Sequence, residues 1–290
     1  MYADTTYSSR LLDLIIYVIL SALALVTLLP FLYILLSSFA STEQALSKTF
    51  VLIPTQYSLD AYKFIFSSST TVRSLSVSVF ITVAGTLVNL VFTSLMAYPL
   101  ARKDLKGRRF VLLMVLFTIL FNGGIIPLFL VVKTMGLLDS YWSLIVPFAI
   151  SPFYLIIMKN FFQQLPDGIE ESAKMDGCNE LQILIRIVLP LSAPALASFA
   201  LFYAVYHWNS FFNAIMFIND STKWPIQVLL RQIVILSSGA FDQSNSAEAI
   251  PPSDTIKNAI IIVSTVPILL IYPFLQKHFA QGLLLGSVKG

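Results

Sequence analysis

The stretch SLSVSVFITVAGTLVNLVFTSLMAYPL, residues 74–100, holds no Asp, Glu, Lys, Arg or His. A bilayer core takes roughly 20 apolar residues to cross as a helix, because a lipid-exposed backbone must satisfy every N–H and C=O within its own segment. Residues 74–100 exceed that length, so this stretch predicts a membrane-spanning helix. It ends abruptly at ARKDLKGRR, residues 101–109, where Arg102, Lys103, Lys106, Arg108 and Arg109 face a single acid, Asp104. Short loops rich in Lys and Arg stay on the cytoplasmic side. One span therefore has its length and its direction.

Further apolar runs lie on both sides of it. Residues 14–38 precede it, and residues 110–132, 141–158, 191–218 and 256–275 follow. Six spans predict an all-α membrane protein with both termini on the cytoplasmic side. The first run is longer than the 7–15 residues of a cleavable signal segment, so it is read as an uncleaved span. The whole chain, residues 1–290, reads as a single transmembrane domain. Residues 160–190 form a cytoplasmic loop within it, and residues 39–73 and 219–255 are external.

Composition supports this. The 290 residues are 57% hydrophobic and 11% charged, against about 25% charged in ordinary soluble domains. Mean hydropathy is +0.82. A formal net charge of +3 is too small to imply a polyanionic partner. Cys178 is the one cysteine, and His207 and His278 are the two histidines, so neither a disulfide nor a Cys- or His-built metal site is expected. No phosphate loop G-x-x-x-x-G-K-[ST], no H-E-x-x-H and no G-x-S-x-G occurs, so no catalytic residue is assigned. Intramembrane ionisable groups, the mark of proton- or ion-coupled carriers, are scarce. The polar groups in the apolar runs are neutral. Asn122, Tyr154, Tyr203, Tyr206, Trp208, Asn209 and Asn213 are candidates for a sugar path, since amides and phenols bond hydroxyls and aromatic rings stack on pyranose faces. The same groups also serve to hold helices together. The segment 203–213 is read as about three turns of one helix.

The loop 160–190 is long for a helix–helix connection, and long loops are usually functional. Pro166 suits a first helical turn. Asp167, Glu170 and Glu171 favour the positive end of the helix dipole, and Gly177 suits a left-handed cap. Ile169, Ala173 and Gly177 form a small, apolar stripe at i, i+4, i+8. A helix lying on the membrane surface would carry Lys and Arg on its polar face. This one is acidic, which favours docking to a protein.

Glu171-Ser172-Ala173, then three residues, Gly177, nine residues and Ile187-x-Leu189-Pro190 resembles the EAA loop of bacterial ABC-importer permeases. Ser172 replaces the second alanine of that pattern. Leu29-Pro30-Phe31-Leu32-Tyr33, Asn122-Gly123-Gly124-Ile125-Ile126-Pro127, His207-Trp208-Asn209-Ser210-Phe211-Phe212 and the tail from Tyr272-Pro273-Phe274 through Gly290 extend the resemblance. It reaches the carbohydrate-uptake branch: the maltose-type second permease, and oligosaccharide and alginate importer permeases. The resemblance implies a type I importer permease, not an enzyme, with six spans and a cytoplasmic coupling helix in the bacterial cell membrane. It implies a second permease, two ATPase subunits holding ATP and Mg, an extracytoplasmic solute-binding protein and an oligosaccharide substrate. The ATPase-coupling residues would be Glu170, Glu171, Ser172, Ala173, Asp176, Gly177, Ile187, Leu189 and Pro190. A permease of this class for a non-sugar solute, or a secondary carrier without an ATPase, are the alternatives.

Overall fold

The computed structural model describes residues 7–41, 44, 53–237 and 254–287. Helices dominate: α1 Tyr7–Ser37, α2 Asp60–Ser67, α3 Ser69–Ala101, α4 Arg108–Leu120, α5 Ile125–Thr134, α6 Pro152–Phe162, α7 Asp167–Met175, α8 Glu180–Ile183, α9 Ala193–Trp208, α10 Phe212–Phe217, α11 Ile226–Ser237 and α12 Asp254–Ser287. The only β pairing among the described residues is an antiparallel bridge between Ala40 and Tyr57.

Three helices are long and apolar enough to cross a membrane unbroken: residues 10–37 of α1, all of α3, and residues 254–271 of α12. Three further apolar pairs are sharply bent. α4 and α5 meet at 119°, residues 141–148 and α6 at 51°, and residues 180–191 and α9 at 84°. Counting each pair as one span gives six. The apolar runs 110–132, 141–158 and 191–218 are thus not each one continuous helix. The breaks have local causes. Gly124 adopts φ +86°, and its N–H bonds the side-chain oxygen of Asn122 at 2.9 Å, a turn that competes with helix. Pro147 and Pro152 flank the second break. At the third, Pro190 lacks the N–H that would continue the ladder, and residues 184–188 are π-helical. The C-terminal tail continues α12 to Ser287. Residues 288–290, and residues 238–253 of the expected external loop, lie outside the described residues.

The chain divides into two compact units, residues 1–68 with 230–265, and residues 69–229 with 266–290. In the first, Ser38 bonds the Tyr62 hydroxyl at 2.7 Å, and the aliphatic side chains along α1 are exposed.

The second unit is built around α3. Its buried face is small and polar: Ser74, Ser78, Gly85, Asn89, Thr93, Ser94 and Ala97. Its opposite face, Val79, Val83, Leu87, Val91 and Leu95, is apolar and exposed. This is the pattern of a helix whose outer surface meets lipid while small residues let neighbours approach. α6 and α9 pack against the buried face. Two apolar clusters sit along α3. One joins Ala97, Tyr98 and Leu100 to Leu155, Met158, Ala173, Ile183, Val188 and Phe199. The other joins Val77 and Ile81 to Val132, Leu144, Phe217 and Val228.

Candidate functional site

The loop expected to couple to an ATPase folds as predicted locally. Pro166 is the N-cap residue of α7, one position before the first helical turn in which it was placed. At the other end, the Gly177 N–H bonds the Lys174 carbonyl at 3.0 Å and the Cys178 N–H bonds the Ala173 carbonyl at 2.9 Å. With Gly177 at φ +83°, this is a Schellman cap. A Cβ on Gly177 would meet no atom of this chain within 4 Å, so the constraint here is backbone conformation, not close approach. α8 then starts with a reciprocal box: Asn179 and Gln182 each accept the other's backbone N–H at 2.9 Å.

The stripe expected to seat in a partner's groove is divided. Ala173 is 5% exposed and belongs to this chain's own core. Ile187 and Leu189 pack against the same cluster. Glu170 is turned inward to Arg102, which also donates to Glu180 at 3.1 Å and to the Tyr98 hydroxyl at 2.8 Å. Of the expected coupling residues, Glu171, Ser172, Asp176, Gly177 and Pro190 are exposed, as are Ile169 of the stripe, Lys174 and Met175. Ser172 bonds the Gly168 carbonyl at 2.8 Å. Met175, at 89% exposure, was not singled out in the sequence. Its signal would have been a large apolar residue off the Ile169–Ala173–Gly177 stripe. A cavity of about 310 Å³ lies beside Glu170, Glu171 and Lys174, walled by Arg102, Phe162 and Gln163.

Of the expected pathway residues, the structure brings Tyr154, Tyr203 and Tyr206 together. They line a cavity of about 560 Å³ with Phe148, Ser151 and Phe153, among others, and no lining side chain is charged. The rings are held firmly. Tyr154 stacks on Phe202 at 5.5 Å and meets Tyr203 edge-on at 5.0 Å. The Tyr203 hydroxyl bonds Thr93 at 2.8 Å and accepts the Ser151 N–H at 3.4 Å. Asn213 reaches this group through Tyr206, at 3.5 Å. It does so from α10, because the helix breaks at residues 209–211; the reading of 203–213 as one helix is corrected. Asn122, Trp208 and Asn209 do not line the cavity. Asn122 caps the α4–α5 break, Trp208 is buried, and Asn209 bonds the Val205 carbonyl at 2.9 Å.

His207 has no ionisable neighbour in sequence. In the structure it is buried, and its Nε2 lies 2.5 Å from Asn89 Oδ1. The Asn89 amide nitrogen donates to the Phe148 carbonyl at 2.5 Å. Its oxygen must then accept, so His207 carries its proton on Nε2. Among the described residues no cluster of three or more metal-ligating side chains occurs.

Residues 107–285 match the family model of the binding-protein-dependent transport system inner membrane component. The chain belongs to this family. A permease of this family is a transport component, not an enzyme, and membership removes the alternative of a secondary carrier. The permease is 58% identical to the polygalacturonan/rhamnogalacturonan transport system permease protein YtcP of Bacillus subtilis (strain 168), over 97% of this chain and 99% of that one. It is 54% identical to protein LplC of the same organism, over 98% and 97% of the two chains. Among solved structures it resembles a chain of a bacterial ABC transporter involved in import of the acidic polysaccharide alginate. That match has a TM-score of 0.87 and 32% identity, and covers 96% of this chain and 100% of the other. The permease is thus a multi-pass membrane subunit of an ABC importer.

Proposed function

We propose that this permease pairs with a second, different permease to form the translocation path of an ATP-driven importer of acidic oligosaccharides. The observation that carries the substrate class is the near full-length 58% identity to a permease named for polygalacturonan and rhamnogalacturonan, together with the likeness to an importer of an acidic polysaccharide. The tyrosine-lined cavity suits this in part. Stacked rings and phenols match the apolar faces and hydroxyls of sugars, and its lining has no cation to hold a carboxylate. The substrate's charge is then met by the partner permease or by the external binding protein.

In this reading ATP and Mg belong to two separate ATPase subunits, since this chain has no phosphate loop. The contact with them is α7, through Glu171, Met175, Asp176 and Gly177, all exposed. Glu171 lies just past the first turn of α7, and its exposed carboxylate suits a basic partner through charge-assisted bonds. Both termini and residues 101–109 face the cytoplasm, and residues 39–73 and 219–255 face outward, by the distribution of Lys and Arg.

The test is reconstitution of the complete complex in vesicles with its binding protein. Oligogalacturonides should stimulate ATP hydrolysis and be taken up, while maltooligosaccharides should not. Stimulation by the neutral sugars alone would overturn the substrate class. Uptake without the ATPase subunits would overturn the ATP-driven mechanism.

A further inference from the structure

Five cations lie in residues 101–109, and retention on the cytoplasmic side asks only that they be present. Lys103, Lys106 and Arg109 do no more than this, being exposed. Arg108 donates to the Leu100 carbonyl at 2.8 Å, where the C-terminus of α3 leaves carbonyls unpaired. Arg102 behaves differently. Its side chain is 17% exposed, and its partner Glu170 is 23% exposed. One guanidinium nitrogen serves Glu170, Glu180 and the Tyr98 hydroxyl, while the other reaches Glu180 at 3.5 Å. Tyr98, one turn earlier on α3, donates its own hydroxyl to Glu180 at 2.9 Å. Lys174 pairs with the other Glu180 oxygen at 3.0 Å. Thus the first turn of α7 is held through Glu170 and its last turn through Lys174 and Glu180, and both holds converge on Arg102.

An exposed ion pair contributes little and has no fixed geometry. Here Arg102 and Glu170 are mostly covered while Glu180 and Lys174 are 57% and 42% exposed, and a planar guanidinium that meets several acceptors is directional. What it holds is also connected further. α3 bonds Tyr203 of α9 through Thr93 and His207 through Asn89. Ser78 accepts the Ile226 N–H at 2.8 Å. From Ser78 to Ala101, the last residue of α3, is about 35 Å at 1.5 Å per residue.

We propose that Arg102 is a positioning residue that latches both ends of α7 to the end of α3, so that displacement of α7 moves α3 and the tyrosine cavity with it. This rests on the reading of α7 as the ATPase contact.

The experiment compares Arg102→Ala, Arg102→Lys, the exchange Arg102→Glu with Glu170→Arg, and Glu171→Lys, each in the full complex with its binding protein. Subunit recovery, stimulated ATP hydrolysis and sugar taken up per ATP are read for each. Arg102→Ala should still assemble and should lose at least tenfold in uptake per ATP. Arg102→Lys should recover only part of it, because a point charge cannot serve Glu170 and Glu180 at once. The exchange should recover part through the restored pair with residue 170. Unchanged uptake per ATP in Arg102→Ala would overturn the latch. So would a loss of assembled complex with the ratio preserved in what remains, which is the mark of a merely structural residue. If Glu171→Lys transports normally while Arg102→Ala does not, the ATPase-contact reading fails, and the latch falls with it as a coupling device. The reverse pattern sinks the latch alone.

Discussion

His207 and Asn89 meet at 2.5 Å across the contact of α9 with α3, and the imidazole lies over Gly85. A Cβ built on Gly85 would come within 2.5 Å of His207 Nε2. The ring cannot yield freely, because it is buried and bonded. Overpacking of this kind costs about 1–3 kcal/mol. Gly85→Ala is expected to lower the unfolding midpoint in detergent, and the same change in a His207→Ala background is expected to cost much less. Strictly additive effects would show that the two residues do not share the space.

Gly177 allows a separation of local strain from partner contact. At φ +83° any residue with a Cβ is strained by roughly 1–2 kcal/mol, and the space beside it is open within this chain. Gly177→Ala and Gly177→Leu should therefore destabilise the isolated permease about equally, with Gly177→Asn milder. In the assembled transporter Leu should impair uptake more than Ala. Equal impairment would remove the case for a partner surface at Gly177.

Glu171 is exposed. Glu171→Lys should leave the thermal stability of the isolated permease unchanged and lower stimulated ATP hydrolysis several-fold, more than Glu171→Ala does. Equal hydrolysis by both variants would mean that the sign of this charge does not matter to the partner.

Asp139 and Asp220 supply a pH dependence. Asp139, at φ +60°, accepts the Asp220 N–H at 3.0 Å, and Lys223 donates to its carbonyl at 2.8 Å. The Asp220 N–H first, then the Lys223 charge, hold the Asp139 carboxyl below the ordinary value of 3.8. A carboxylate depressed in the folded state stabilises fully above its unfolded value and loses that stabilisation as pH falls through the lowered value. Acidification below about pH 4 should thus destabilise the native chain more than Asp139→Asn, whose neutral side chain tolerates the left-handed backbone. The measurement is the difference between their unfolding midpoints from pH 6 to pH 2. A constant difference would refute the role of this carboxylate.

The expected topology is checked by cysteine labelling in a Cys178→Ser background. A cysteine at position 104 should react only when the membrane is opened, and one at position 220 should react in sealed cells. Labelling of position 104 from outside would invert the orientation.

Membrane residence, the helical class and the local form of the loop 160–190 were legible in the residues alone. Lipid demands long uncharged runs, and a helix end is shaped by its own neighbours, as the Gly177 cap and the acids of the first turn of α7 demonstrate. Hydropathy reports whether a segment tolerates lipid and not whether its helix is continuous, so the bends at residues 121–124 and beside Pro190 needed the fold. Pairings across the chain needed it most. Glu170 looked like a partner-facing acid beside Glu171 until Arg102, 68 residues earlier, turned it inward. The partner of His207, Asn89, lies 118 residues earlier, beyond the reach of any local pattern. Local chemistry is written at spacings of three or four residues, whereas which distant polar groups meet is decided only when helices pack and leave them no water to bond.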